Sequence, residues 1–150
     1  MAAEYYRRAI LDGRLSGMWE WLEQLIGKRQ PERDALGNRG ENVAAHFLRK
    51  SGFKIIARNF RCEVGGIDII AREGKTLVFV EVKTRTYDDP QPEDQVNMDK
   101  QRQLTNVAKL YLGRYGFPQP AARFDVVAIV WPTGQEPQVR HIRDAFEAVS

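Results

Sequence analysis

The sequence predicts an α/β fold, a mixed β-sheet sandwiched by helices, and three patterns carry that prediction. Apolar residues recur at helical spacing up to residue 50 and again between residues 96 and 111. Between the two lies a meander of short apolar strands separated by glycine turns. After the second helical pattern comes Phe124 to Trp131, a near-continuous apolar run of the kind found in strands covered on both faces.

In chain order, residues 1–35 read as a helical N-terminal extension and residues 36–150 as the main domain. Two short helical patterns fall at residues 4–11 and 17–27, separated by Asp12-Gly13, and Gly27 to Pro31 reads as a linker. Trp19, Leu22, Leu25 and Ile26 form an apolar stripe suited to packing on the domain or on a protein partner. Asp34 is a good N-cap for a helix carrying Leu36, Val43, Ala44, Phe47 and Leu48, which Ser51-Gly52 ends. A strand is expected from Phe53 to Phe60, a turn at Val64-Gly65-Gly66 with Asn59 capping or orienting it, and a second strand from Ile67 to Arg72. Glu73-Gly74-Lys75 then turns the chain into a third strand, Leu77 to Thr84. A polar loop follows. A long helix is expected from Asp94 to Gly113, with Val96, Leu104, Val107, Ala108 and Tyr111 on one face. The Phe124 strand and a short edge strand over Gln138 to Ile142 complete an order of helix, three strands, helix and one or two strands.

Composition narrows the function. The chain has 150 residues, 43% hydrophobic and 29% charged, with one cysteine and two histidines. One domain is the default at that length, and roughly 68–70% burial of the unfolded surface is within reach. Cys62 has no disulfide partner and no convincing zinc set, which points to a reducing compartment. The short apolar stretches exclude a transmembrane helix, and the first residues lack a secretion signal, so a cytoplasmic location with no membrane partner is expected. No phosphate-cradling glycine loop or dinucleotide fingerprint is present, which argues against nucleotide-driven chemistry. Net charge is only +3 but unevenly placed. Residues 36–62 hold six bases (Arg39, Arg49, Lys50, Lys54, Arg58 and Arg61) and one acid, Glu41; residues 63–96 hold eight acids and four bases. A basic face beside an acidic cluster suits phosphate binding next to a metal; a solvated basic face is the alternative.

The informative anomaly is the segment LVFVEVKTR, residues 77–85. Glu81 and Lys83 interrupt an apolar strand and share a side with Phe79, while Val78, Val80 and Val82 point the other way. Asp68 interrupts the preceding strand in the same manner. A short turn makes the two strands antiparallel neighbours, so Asp68 falls near Glu81. Burying an unpaired carboxylate costs several kcal/mol, so these groups must pair, bind metal or reach solvent at a cleft. Two carboxylates and a lysine at one place match what hard-cation phosphodiester chemistry needs: oxygen ligands for Mg²⁺ or Mn²⁺ and a positive charge to orient water. The alternative is an internal ion-pair network.

Asp68, twelve residues, then Glu81-Val82-Lys83 resembles the D…(D/E)xK signature of restriction-endonuclease-like nucleases. The wider string is more specific. Gly37-Asn38-Arg39-Gly40-Glu41 with Ala44 and Leu48, Arg58-Asn59-Phe60-Arg61, GGIDIIAREG, LVFVEVKTR and RFDVVAI together are similar to the YraN family of small bacterial proteins, over about residues 36–150. Motif order also resembles the archaeal Holliday-junction resolvases, which carry a helix glutamate ahead of the D…ExK set, the place of Glu41 here. The resemblance implies a restriction-endonuclease-like fold with Asp68, Glu81 and Glu41 as metal ligands and Lys83 as the catalytic lysine. It also implies the Val82 carbonyl as a further ligand. Where the YraN family reads GEIDLI this chain has Gly66, so one carboxylate is missing.

Arg39, Arg58, Arg61, Arg85, Lys100 and Arg102 are candidate phosphate contacts, positioning charges without base specificity. Lys100 lies on the apolar stripe of its helix and so can point toward the sheet; a snorkelling surface lysine is the alternative. Asp125, after Arg123, reads as a structural ion pair. His46 reads as solvated, and His141 has no nearby partner in sequence. The expected function is therefore Mg²⁺-dependent hydrolysis of DNA, including branched or structured DNA, which would require a homodimer to cut two strands. The competing readings are an inactive nucleic-acid-binding or protein-interaction module on the same fold, and a structural protein whose charges neutralise one another.

Overall fold

The computed structural model describes residues 31–150, with side chains from Ala35 onward; the helices expected at residues 4–11 and 17–27 lie outside the described residues. The elements run α1 (Pro31–Lys50), β1 (Lys54–Cys62), β2 (Gly65–Glu73), β3 (Thr76–Arg85), a 3-10 turn (Pro92–Gln95), α2 (Met98–Leu112), β4 (Ala122–Val130) and β5 (Gln138–Phe146). The five strands form one sheet in the order β1-β2-β3-β4-β5. All neighbours are antiparallel except β3 and β4, which run parallel through a ladder from Leu77↔Ala122 to Arg85↔Val130. Parallel neighbours need a crossover, and the segment carrying α2 provides it. This mixed sheet between helices is consistent with a restriction-endonuclease-like α/β fold.

Element boundaries differ from expectation in four places, each for a local reason. α1 starts at Pro31, so Asp34 lies inside the helix rather than capping it; proline is well tolerated in a first turn. The β1–β2 turn is Glu63-Val64, and Gly65 and Gly66 already belong to β2, facing Cys62 and Arg61. The second helix does not begin at Asp94: residues 92–95 form the 3-10 turn, and the Asn97 side chain caps α2 by accepting the Lys100 N–H at 3.0 Å. The last strand extends to Phe146 because the Asp125 network described below holds its far end.

Side chains alternate along the strands and build two apolar layers. On one face Ala44, Ala45 and Leu48 of α1 pack on Ile69, Ala71, Val78, Val80, Val82, Val127 and Ile129. On the other, Leu104, Val107, Ala108 and Tyr111 of α2 pack on Ile67, Ile70, Leu77, Phe79, Phe124 and Val126. Each fully buried aliphatic side chain contributes roughly 1.5–3 kcal/mol. The α1 layer closes only because residue 40 is glycine. A β-carbon there would lie 1.8 Å from Thr84 Oγ1, which is itself buried without a hydrogen-bond partner. This close approach brings the next residue, Glu41, down toward the sheet.

A buried ion network ties β4 to β5. Asp125, fully buried, accepts from Arg123 Nε at 2.9 Å and from the Asp144 N–H at 2.9 Å, and its other oxygen lies 2.8 Å from His141 Nε2. The pairing with Arg123 follows the sequence reading. The His141 contact does not: its partner lies 16 residues away and arrives only through the β4–β5 register. The His141 ring also packs edge-on against Phe47 and Phe53. Burial alone would push the Asp125 carboxyl up, but the hydrogen bonds from His141, Arg123 and the Asp144 N–H outweigh it and bring it down to about 2.

Two outcomes follow. Gly40→Ala should lower stability by about 1–3 kcal/mol in urea denaturation, the cost of overpacking, and Thr84→Ala in the same chain should recover part of the loss. Asp125→Ala should cost about 1–3 kcal/mol at neutral pH, because it leaves His141 without its carboxylate and Arg123 with Glu73 alone. Since the folded carboxyl sits below its ordinary value of 3.8, its contribution is complete above about pH 4 and is lost as pH falls through about 2. The gap between wild type and Asp125→Ala should narrow over that interval.

Candidate active site

The site lies where β2 and β3 part. Their ladder runs from Glu73↔Thr76 to Ile69↔Val80 and ends there. Beyond it the Asp68 carboxylate accepts the Val82 N–H at 2.8 Å, so a side chain takes the place of a strand partner. Glu81 and Lys83 flank Val82 on β3. As the sequence alternation required, both project from the Phe79 side, toward α2. Lys83 Nζ lies 3.6 Å and Lys100 Nζ 3.4 Å from the same oxygen, Glu81 Oε1. Lys100 reaches it from the first turn of α2 and also donates to Gln103 Oε1 at 3.4 Å. Gln103 in turn lies across Gly65, where a β-carbon would sit 2.6 Å from its Nε2.

Glu81 is the unusual member. It is 4% exposed, and its Oε2 is buried with no hydrogen-bond partner. Burial raises its carboxyl most, the negative charge of Asp68 raises it further, and Lys100 and Lys83 pull it back, leaving it at about 7. Glu41 on α1 is also raised, first by burial and then by Asp68, against the opposing charges of Arg58 and Arg61 and a hydrogen bond from Asn59. Asp68 is therefore the carboxylate whose field reaches both glutamates. Among the described residues no set of three or more His, Cys, Asp and Glu side chains is drawn in closely enough to hold a metal ion as it stands. The donor chemistry nonetheless fits a hard divalent cation. Such an ion needs carboxylate oxygens from one or two residues and keeps several waters, and Glu81 Oε2 is an oxygen without a partner beside a second carboxylate.

The structure thus gathers Glu41, Asp68, Glu81, Lys83 and Lys100 about the opening, with Arg58 and Arg61 close enough for their charges to act on Glu41. The other candidate phosphate contacts are engaged elsewhere. Arg39 lies over the Trp131 ring at 4.1 Å. Arg85 donates to the Thr84 carbonyl and to Gln95, and Arg102 pairs with Asp99 on the exposed side of α2. Arg61 folds over Gly66: a β-carbon there would meet its Nη1 at 2.6 Å. The guanidinium thus occupies the room a side chain at position 66 would need. Sequence reasoning did not find Gln103 or Gly40 as parts of the site. Gln103 had no signal beyond its place one turn after Lys100, whereas Gly40, inside a helical pattern, is a residue that close packing can require.

The signature of the family described as Uncharacterised protein family UPF0102 matches residues 40–129, which span α1 from Gly40, the whole opening and nearly all of β4. The chain belongs to that family. It is 46% identical over 122 residues to a UPF0102 protein of Geotalea daltonii, covering 81% of this chain and 96% of that relative. It is likewise 46% identical over 123 residues to one of Geobacter sulfurreducens, with the same coverages, and 40% identical over 119 residues to one of Nocardia farcinica, covering 79% and 94%. The YraN-like membership read from the sequence motifs is supported at the level of the family.

Raised carboxyls have a measurable consequence. Because the folded Glu81 carboxyl lies above its ordinary value of 4.5, its contribution to stability is complete below about pH 4.5 and is lost as pH rises through about 7. Without added divalent cation, Glu81→Gln should be more stable than wild type at pH 8 by about 1–3 kcal/mol, and the two should converge near pH 4.5. Urea denaturation across that range checks it; a variant less stable at pH 8 would mean that the lysines more than compensate the buried charge.

Proposed function

We propose that this protein is a divalent-cation-dependent nuclease that hydrolyses phosphodiester bonds of DNA. The observation that carries the reading is the buried, unpartnered Oε2 of Glu81 beside Asp68, on the strand that also presents Lys83. Asp68 and Glu81 would hold Mg²⁺ or Mn²⁺, with Glu41 reaching it directly or through water and the Val82 carbonyl as a further ligand. Bound there, the cation would polarise the scissile phosphate and lower the pKa of a bound water. Lys83 orients that water and offsets negative charge developing at phosphorus. Arg58 and Arg61, beside Glu41, align the DNA backbone, and Arg39, Arg85 and Arg102 extend the basic surface. Lys100, already on Glu81, serves that carboxylate before it serves a phosphate.

A second reading, a nucleic-acid-binding or protein-interaction module without chemistry, has one observation in its favour: two lysines already neutralise Glu81 from within. One experiment separates the two. Labelled junction, flap and linear DNA are incubated with the protein and Mg²⁺ or Mn²⁺, beside Asp68→Ala and Lys83→Ala. Cleavage by wild type that drops at least about 100-fold in both variants supports the enzyme. Binding that survives both changes, with no cut on any substrate, favours the module. Wherever DNA is bound, affinity should fall with salt at a log–log slope of about −0.9 per phosphate neutralised.

A further inference from the structure

The β1–β2 ladder skips one step beside the site. Arg58 faces Ile69 and Phe60 faces Ile67, but Asn59 and Asp68, which should face each other, form no pair. Asn59 has a φ of 51°, a left-handed conformation in the middle of a strand. On β2 the sidedness changes at the same place: Ile67 packs in the α2 layer and Ile69 in the α1 layer, although residues two apart on a strand ordinarily share a face. The released Asn59 side-chain amide is turned toward the Glu41 carboxylate, whose pKa it helps to lower against the effect of burial. Its neighbour Arg58 donates to Asn42 Oδ1 at 2.8 Å, so two consecutive residues of β1 grip two consecutive residues of α1.

We propose that Asn59 is a positioning residue of the site: its left-handed backbone turns the amide out of the ladder toward α1, where it holds Glu41 beside Asp68. The residue type fits both demands. Asparagine enters the left-handed region more readily than most residues, and its amide supplies N–H donors to a carboxylate. Glycine meets the first demand without the second, alanine meets neither, and aspartate would repel Glu41. Backbone strain of this kind clusters where geometry must be held against local preference. On β2 the same irregularity leaves Asp68 free to take the Val82 N–H, so one distortion of two adjacent strands places two of the three carboxylates. The consequence for cleavage rests on the nuclease reading; the contact with Glu41 does not.

The test compares Asn59→Gly with Asn59→Ala. Glycine tolerates the left-handed backbone and alanine does not, so Tm should fall less in Asn59→Gly. Activity should not follow that order: kcat should fall by about 10- to 100-fold in both variants, with KM for DNA changed less than about twofold, as expected for lost positioning. If Asn59→Gly cleaves like wild type, the side chain does no positioning and the proposal is overturned. A stability cycle in the absence of divalent cation needs no cleavage. Asn59→Gly should lower Tm by about 2 °C more in the wild-type background than in Glu41→Met; equal shifts in the two backgrounds would also overturn it. Coupling in the cycle with no cutting by wild type would defeat the nuclease reading and leave the Asn59–Glu41 contact standing.

Discussion

A backbone amide that finds a carboxylate in place of a strand partner organises the whole molecule. When the Asp68 side chain takes the Val82 N–H, β2 and β3 must separate above Ile69↔Val80, and separation inside an otherwise paired sheet creates an opening lined by whatever the two strands carry. Buried N–H groups are nearly always paired, so opening the sheet without such a substitute would carry the penalty of an orphaned donor. Asp68 thus has two physical tasks. It satisfies the amide that parts the strands, and its negative charge adds to burial, the larger cause, in raising the carboxyls of Glu41 and Glu81.

Much of this was legible in the sequence, and the reason is alternation. Strand period two places Glu81 and Lys83 on one side of an apolar segment, and a tight turn brings Asp68 alongside; both follow from covalent geometry. The continuous apolar strand β4 and the helical stripe of α2 were equally plain. What stayed hidden depends on contacts distant in the chain. His141 meets Asp125 only through the β4–β5 register, Gln103 crosses Gly65 only once α2 has docked, and Asn59 looked like a turn residue because a left-handed conformation inside a strand leaves no periodic trace. The boundary misjudgements at Gly65 and Asp94 have a shared origin. In sequence, glycines and prolines signal the ends of elements, whereas here they allow close approach or form a short 3-10 turn before the helix.

Among the described residues, the charges around Asp125 and around Arg140 have different roles. Asp125 itself is fully buried, its partners Arg123 and His141 are half-buried and close-set, and together they fasten the edge strand β5 to the sheet. Around Arg140 the charges are more exposed. That guanidinium makes two hydrogen bonds to Asp88 and two to Glu93, both from the segment joining β3 to α2, and holds their carboxyls below the usual range. Exposed pairs of this sort add little to global stability, but a bidentate arginine restricts orientation well.

That tether lies on the covalent path between the two ammonium groups on Glu81. Lys83 leaves β3, Lys100 opens α2, and the intervening span is moored at Asp88 and Glu93 to a strand on the far rim of the sheet. An edge strand thus reaches the span between the two lysines through one guanidinium, while its own Ile142, Ala145 and Phe146 pack on the α2 layer.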